Sequence, residues 1–294
     1  MSINVLAGRA MLVTLNIRRW QAARTDKKIT AEVATTHAVS EKRAGRYRKN
    51  AINVDAPTFK AVVSAASDLR TKHYFYTLPW TQEGARILTT AMFEEYSREM
   101  RILRIAFDKA VQAFIADLPA LKQAAKIELN GMYNEADYPT DIAAKFCVEI
   151  VRMPLPVEED FRACLPEDTV ASIRSDIKAE VEKATSLAMR DPYERLYEHI
   201  SRMVGRLSDP KAVFRDTLIT GLADLCAILP GLNLTQDPQL DALRKRAEQL
   251  ILNVDPQDLR DRPFLRSRVA AQAAEIQKVM AGFMAAPTSS EAAA

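Results

Sequence analysis

The stretch AMFEEYSREMRILRIAFDKAVQAFIADLPALKQAAKIEL, Ala91–Leu129, decides the fold class. Phe93, Tyr96, Met100, Leu103, Phe107, Val111 and Phe114 fall three or four residues apart. That is the period at which one face of an α-helix turns toward a core, and no strand keeps it. Pro119 is expected to interrupt the helix, because its ring lacks an N–H and crowds the preceding turn. Asn130–Gly131 is expected to stop the second piece.

Toward the C-terminus the same period recurs. A long helix is expected from about Pro166, with Ile173, Ile177, Val181 and Leu187 on one face, broken or kinked at Asp191–Pro192. Leu196, Ile200, Met203 and Leu207 continue the pattern. Ser208-Asp209-Pro210, Asp237-Pro238-Gln239 and Asp255-Pro256-Gln257 each read as a helix start, with a capping side chain just before a proline in the first turn. The last helix is expected to reach about Met284, and the tail 287–294 to be disordered.

Toward the N-terminus the pattern changes. Met11–Ile17, MLVTLNI, alternates and is β-branched, and Lys145–Met153, KFCVEIVRM, does the same. Both read as strands of one small antiparallel sheet, joined by segments of Tyr74–Leu88. A helix fits Lys28–Val39 and another Ala56–Lys72, whereas the aromatic run His73–Trp80 reads as a strand or ordered loop. The fold class is therefore mainly α (α+β): a small antiparallel sheet in the N-terminal half and a C-terminal bundle of long amphipathic helices. Three regions are expected: a basic α+β region over residues 1–156, a helical region over 157–286 and the tail 287–294.

Composition supports the helical reading. Gly is scarce, at 8 of 294 residues, and glycine is the residue that loses most freedom in a helix. Charge is unevenly spread. Residues 1–50 hold eleven Lys/Arg against three acids, so the other 244 carry a net −5 beneath the chain's +3. Three cysteines at long spacing and no C-x-x-C argue for reduced thiols in a cytoplasmic compartment. No run of 18 apolar residues occurs, so no membrane span is expected. The N-terminus does not read as a signal peptide.

Familiar chemistry is hard to find. Gly221 and Gly231 are ten residues apart, too far for a phosphate-cradling loop, and His37, His73 and His199 form no metal motif with each other or with cysteine. Glu95 and Glu99 share a helix face that suits Mg²⁺, but Arg98, Arg101 and Arg104 beside them favour a solvated mixed-charge face. Glu158-Glu159-Asp160 reads as a loop or a first helical turn. No catalytic residue, metal site or cofactor is expected, and an enzyme is not the favoured reading.

Two binding surfaces remain. Ser40–Asn50, SEKRAGRYRKN, carries Lys42, Arg43, Arg46, Arg48 and Lys49 around Tyr47, and upstream stand Arg18, Arg19, Trp20, Arg24, Lys27 and Lys28. Cations interleaved with aromatics can track a phosphate backbone and stack on bases. The same residues also suit a solvated connector or a protein contact. The amphipathic C-terminal helices offer faces to a protein partner, or to a second copy in a homo-oligomer.

Four stretches carry a resemblance: TLNIRRWQAARTDKKITAEV (14–33), HYFYTLPWTQEGARIL (73–88), RLSDPKAVFRDTLI (206–219) and LPGLNLTQDPQLDALR (229–244). In this order they resemble an uncharacterised family of bacteriophage and prophage proteins of about this length. The resemblance covers nearly the whole chain, and its motifs carry no assigned chemistry. Such proteins are associated with genes for MoxR-type AAA+ ATPases and von Willebrand factor A-domain proteins. It implies a phage-encoded adaptor in the host cytoplasm, accessory to an AAA+ ATPase, with nucleic-acid binding in replication or recombination as the alternative.

Overall fold

The computed structural model describes residues 7–81, 84–157 and 165–284. The expectations for Glu158–Asp160 and the tail 287–294 lie outside them. The chain is mainly α, with a small four-stranded antiparallel sheet and long C-terminal helices, as its periodicity predicts.

It forms two compact units that are interleaved along the sequence rather than consecutive. The helical unit comprises Met1–Thr14, Tyr74–Tyr96 and Arg152–Ala294, and the basic unit Leu15–His73 and Ser97–Val151. A single division at 156/157 is not what the chain adopts. The first half enters both units, because the sheet strands and long helices run through the division.

Strands β1 (Ala10–Arg18), β4 (Leu78–Pro79), β5 (Ala85–Thr89) and β6 (Cys147–Pro154) form the sheet in the order β4-β5-β1-β6. β1 pairs with β5 in the register Ala10↔Thr89, Leu12↔Ile87, Thr14↔Ala85. Consecutive Ile87, Leu88 and Thr89 are all buried, so both faces of β5 are covered there.

In the helical unit, α5 (Glu167–Ser208), α6 (Thr217–Leu232), α7 (Pro238–Ile251), α8 (Pro256–Asp261) and α9 (Pro263–Met284) form the bundle, with α9 packed along α5 and α7 against α6. Leu196, Ile200, Met203 and Leu207 face its core, with Leu222, Leu229, Leu243, Ala273 and Met280. The break expected at Asp191–Pro192 does not occur: α5 runs through it for 42 residues. Pro192 is itself buried, so packing outweighs the lost backbone bond.

Two of the three proline-led starts stand as read. Asp237 Oδ1 accepts from Gln239 N at 2.8 Å, and Asp255 Oδ1 from Gln257 N at 2.6 Å. Ser208-Asp209-Pro210 instead ends α5. Buried Arg266 donates from Nε to the Leu207 carbonyl (3.1 Å) and from one Nη to those of Arg206 (2.7 Å), Asp209 (2.5 Å) and Ala212 (2.8 Å). A guanidinium thus satisfies carbonyls that a helix end leaves without partners.

The aromatic run is also corrected. His73–Tyr76 are the last residues of α3 (Pro57–Tyr76), and only Leu78–Pro79 are extended. Arg195 donates to the carbonyls of Phe75 (2.8 Å) and Thr77 (2.7 Å) while paired with Asp191 at 2.6 Å. Arg86 donates to Thr77 Oγ1 and lies over the Tyr74 ring. A charged C-cap supplied 120 residues away lets a β-favouring stretch stay helical.

In the basic unit, α4 (Phe93–Leu129) runs unbroken for 37 residues through Pro119. Pro119 is exposed, so solvent is available to the carbonyl that its ring deprives of a partner. Trp20, Phe59, Phe114, Tyr138 and Phe146 form an aromatic core with centroids 5.4–6.5 Å apart. Residues 23–50 fold as an arm: β2 (Ala23–Thr25), α1 (Lys27–Thr36), α2 (Glu41–Ala44) and β3 (Arg48–Asn50). Its ends close as an antiparallel ribbon, Ala23↔Asn50, Arg24↔Lys49, Thr25↔Arg48.

Candidate polyanion-binding surface

The basic unit contains twenty Lys/Arg against thirteen acids, so it holds the whole positive excess of the chain. All eleven residues singled out by sequence belong to it. Eight of them are exposed: Arg18, Lys27, Lys28, Lys42, Arg43, Arg46, Tyr47 and Arg48; Arg19 is half-buried. Lys27 and Lys28 occupy the first turn of α1, which holds no acid, the reverse of what the helix dipole favours.

Two of the eleven are not surface contacts. Trp20 is 5% exposed, its ring enclosed by Phe59, Phe114 and Tyr138. Apolar area outweighs any stacking role there. Lys49 is also buried. Its Nζ lies 3.0 Å from Asp26 and 3.1 Å from Asp137, and it donates to the Met132 carbonyl. Burial alone depresses its ammonium, and the bonds to Asp26 and Asp137 more than reverse that, so it titrates above its ordinary value. The hydrogen bond from Lys49, with that from the Ile29 N–H, holds Asp26 below the usual carboxylate range. Asp26 also caps α1 through the N–H groups of Lys28 and Ile29. This cation fastens the arm and has no donor to spare for a ligand.

The cations that do converge surround one hollow of about 570 Å³. Arg18 is the last residue of β1 and Arg19 follows it, Arg24 comes from β2, Arg48 from β3 and Lys145 from the turn before β6. No carboxylate is among the described residues that line it. Arg18 hydrogen-bonds the Cys147 side chain and feels Glu149 from outside the lining, which together raise it above the ordinary guanidinium value. Arg24 Nε donates to the Asp137 carbonyl at 3.1 Å, which leaves its two Nη groups. The side chains of Arg19, Arg48 and Lys145 make no hydrogen bond or ion pair among the described residues.

Sequence reasoning misses Lys145 as a site residue. The signal is present, because antiparallel neighbours bring the end of β1 beside the start of β6. A second hollow of about 510 Å³ shares Arg48 but also has Asp55 and Glu128 in its wall, and Tyr47 lines this mixed-charge site.

Cys226 is buried, and burial pushes its thiol up to about 11. His199 hydrogen-bonds the Leu218 carbonyl at 3.0 Å, and burial lowers it below the ordinary imidazole value. Among the described residues no group of three His, Cys, Asp or Glu is placed to hold a metal ion, and no helix is long and apolar enough to cross a membrane. No family model, curated protein or solved structure matches this chain.

Proposed function

We propose that this is a non-enzymatic binding protein that holds the phosphate backbone of a nucleic acid on its basic unit. One observation carries the reading: five cations converge on a hollow whose described wall has no carboxylate, and the side chains of three of them make no hydrogen bond or ion pair among the described residues. Like charges gathered without counter-charges repel, and an anionic ligand relieves that repulsion. Phosphate contact by Lys and Arg is the sequence-independent component of nucleic-acid affinity. The test is binding of fluorescently labelled DNA to the wild type and to a variant with Arg19→Glu, Arg48→Glu and Lys145→Glu. The wild type binds at low salt and the variant does not; equal binding by both refutes the site.

A second reading comes from the helical unit, where Val213 is 85% and Phe264 81% exposed. Bare apolar side chains of this size suit a protein contact. With the resemblance to phage proteins, they support an adaptor that works in the host cytoplasm beside an AAA+ ATPase. Purification of the tagged protein from its host tests this: an ATPase recovered with the wild type and absent with Phe264→Asp supports it, and recovery of the protein alone counts against it.

A further inference from the structure

We infer that the basic hollow takes duplex rather than single-stranded nucleic acid, held through its phosphates alone. This rests on the nucleic-acid reading above and narrows its ligand.

The first ground is the state of the aromatic rings. Proteins that hold single strands set bases against free aromatic faces, and that stacking offsets the ordering of a flexible chain. Trp20 lines the hollow, but its ring is packed into the core at 6.0–6.5 Å from three other rings. Tyr47, the exposed aromatic of the basic stretch, lines the neighbouring hollow with Asp55 and Glu128 instead. The cationic hollow therefore offers charge without a stacking platform.

The second ground is the rigidity of the charges. Arg24 and Arg48 stand on paired strands, one register step apart, with Arg24 opposite Lys49 and Thr25 opposite Arg48. Lys49 is locked between Asp26, Asp137 and the Met132 carbonyl, which fixes the ribbon at its root. Arg18 ends a sheet strand, and Arg19 follows it directly. A fixed array of cations matches a ligand whose phosphates are already fixed, and a duplex presents them at regular spacing along its axis. A single strand would have to be ordered by phosphate attraction alone.

The test compares a labelled duplex with each of its separated strands, at one salt concentration, by anisotropy. The duplex is expected to bind at least about tenfold more tightly, because preformed phosphate spacing removes the ordering cost. Two duplexes of unrelated sequence bind alike, Tyr47→Ala leaves duplex affinity unchanged, and saturating duplex leaves tryptophan emission unchanged. Single strands that bind as tightly as the duplex, or that quench tryptophan, overturn this inference and leave the nucleic-acid reading standing. Failure of both to bind overturns both.

Discussion

Lys49 shows what one residue can conceal. In the sequence it is the fifth cation of a basic run; in the fold it is the buried centre of two ion pairs. Asp137 and the Met132 carbonyl lie more than 80 residues away, so no local pattern could reveal them. Lys49→Met leaves both carboxylates facing a buried apolar side chain. It should lower stability by about 3 kcal/mol or more, measured by urea unfolding; a loss no larger than that of an exposed Lys42→Met control would show the triad to be weak. The signs of its pH dependence are fixed. Asp26 is depressed in the fold, so its contribution is complete above 3.8 and is lost as pH falls through its lower folded value. Lys49 is raised, so its contribution is complete below 10.5 and is lost as pH rises through its higher folded value. His199 behaves differently. Its folded value lies below 6.5, so the unfolded chain takes up the proton first and stability falls as pH drops below 6.5. His199→Gln should flatten the melting temperature between pH 7 and the lower folded value; an unchanged slope would mean that another group is responsible.

At the scale of elements, most helices and both long strands are legible in the sequence. Their periods are local, and tertiary packing reinforces them. Most misreadings share one cause. Pro192, Ser208–Pro210 and His73–Tyr76 follow local rules that the surroundings in the fold override, whereas exposed Pro119 leaves its orphaned carbonyl to solvent. Arg195 and Arg266 cap helix ends from elsewhere in the chain, and a buried Pro192 stays inside α5. The two interior prolines differ in a testable way. Pro119 is exposed, so Pro119→Ala restores a backbone bond without leaving a hole. It should raise stability by about 1 kcal/mol or more, read as a higher urea midpoint. Pro192→Ala removes buried ring atoms and should gain less. A larger gain at Pro192 would contradict this account of why α5 tolerates its proline. A third packing test is Gly231, where an added Cβ would collide with Met92 Sδ and lie 2.8 Å from its Cγ. Gly231→Ala must displace a buried methionine and should cost roughly 1–3 kcal/mol; a neutral result by thermal melting would show room that the packing does not display.

At the scale of the whole molecule, the charge asymmetry is visible in the first 50 residues, but its organisation is not. The arm, the end of β1 and the turn before β6 make one cationic hollow because the sheet pairs strands more than 100 residues apart. Composition counts these charges. Only the strand order shows that Lys145 joins them while Lys49 and Trp20 turn inward. The account therefore stands on whether the converging cations bind phosphate, and a salt series answers that most directly. The logarithm of the DNA association constant is measured against the logarithm of salt concentration, for the wild type and for a variant with Arg19→Ala, Arg48→Ala and Lys145→Ala. The account predicts a steep negative slope in the wild type, which becomes shallower by about 2.7 in the variant, from about 0.9 for each phosphate no longer neutralised. A slope that is the same in both proteins, or no binding at low salt, would contradict it.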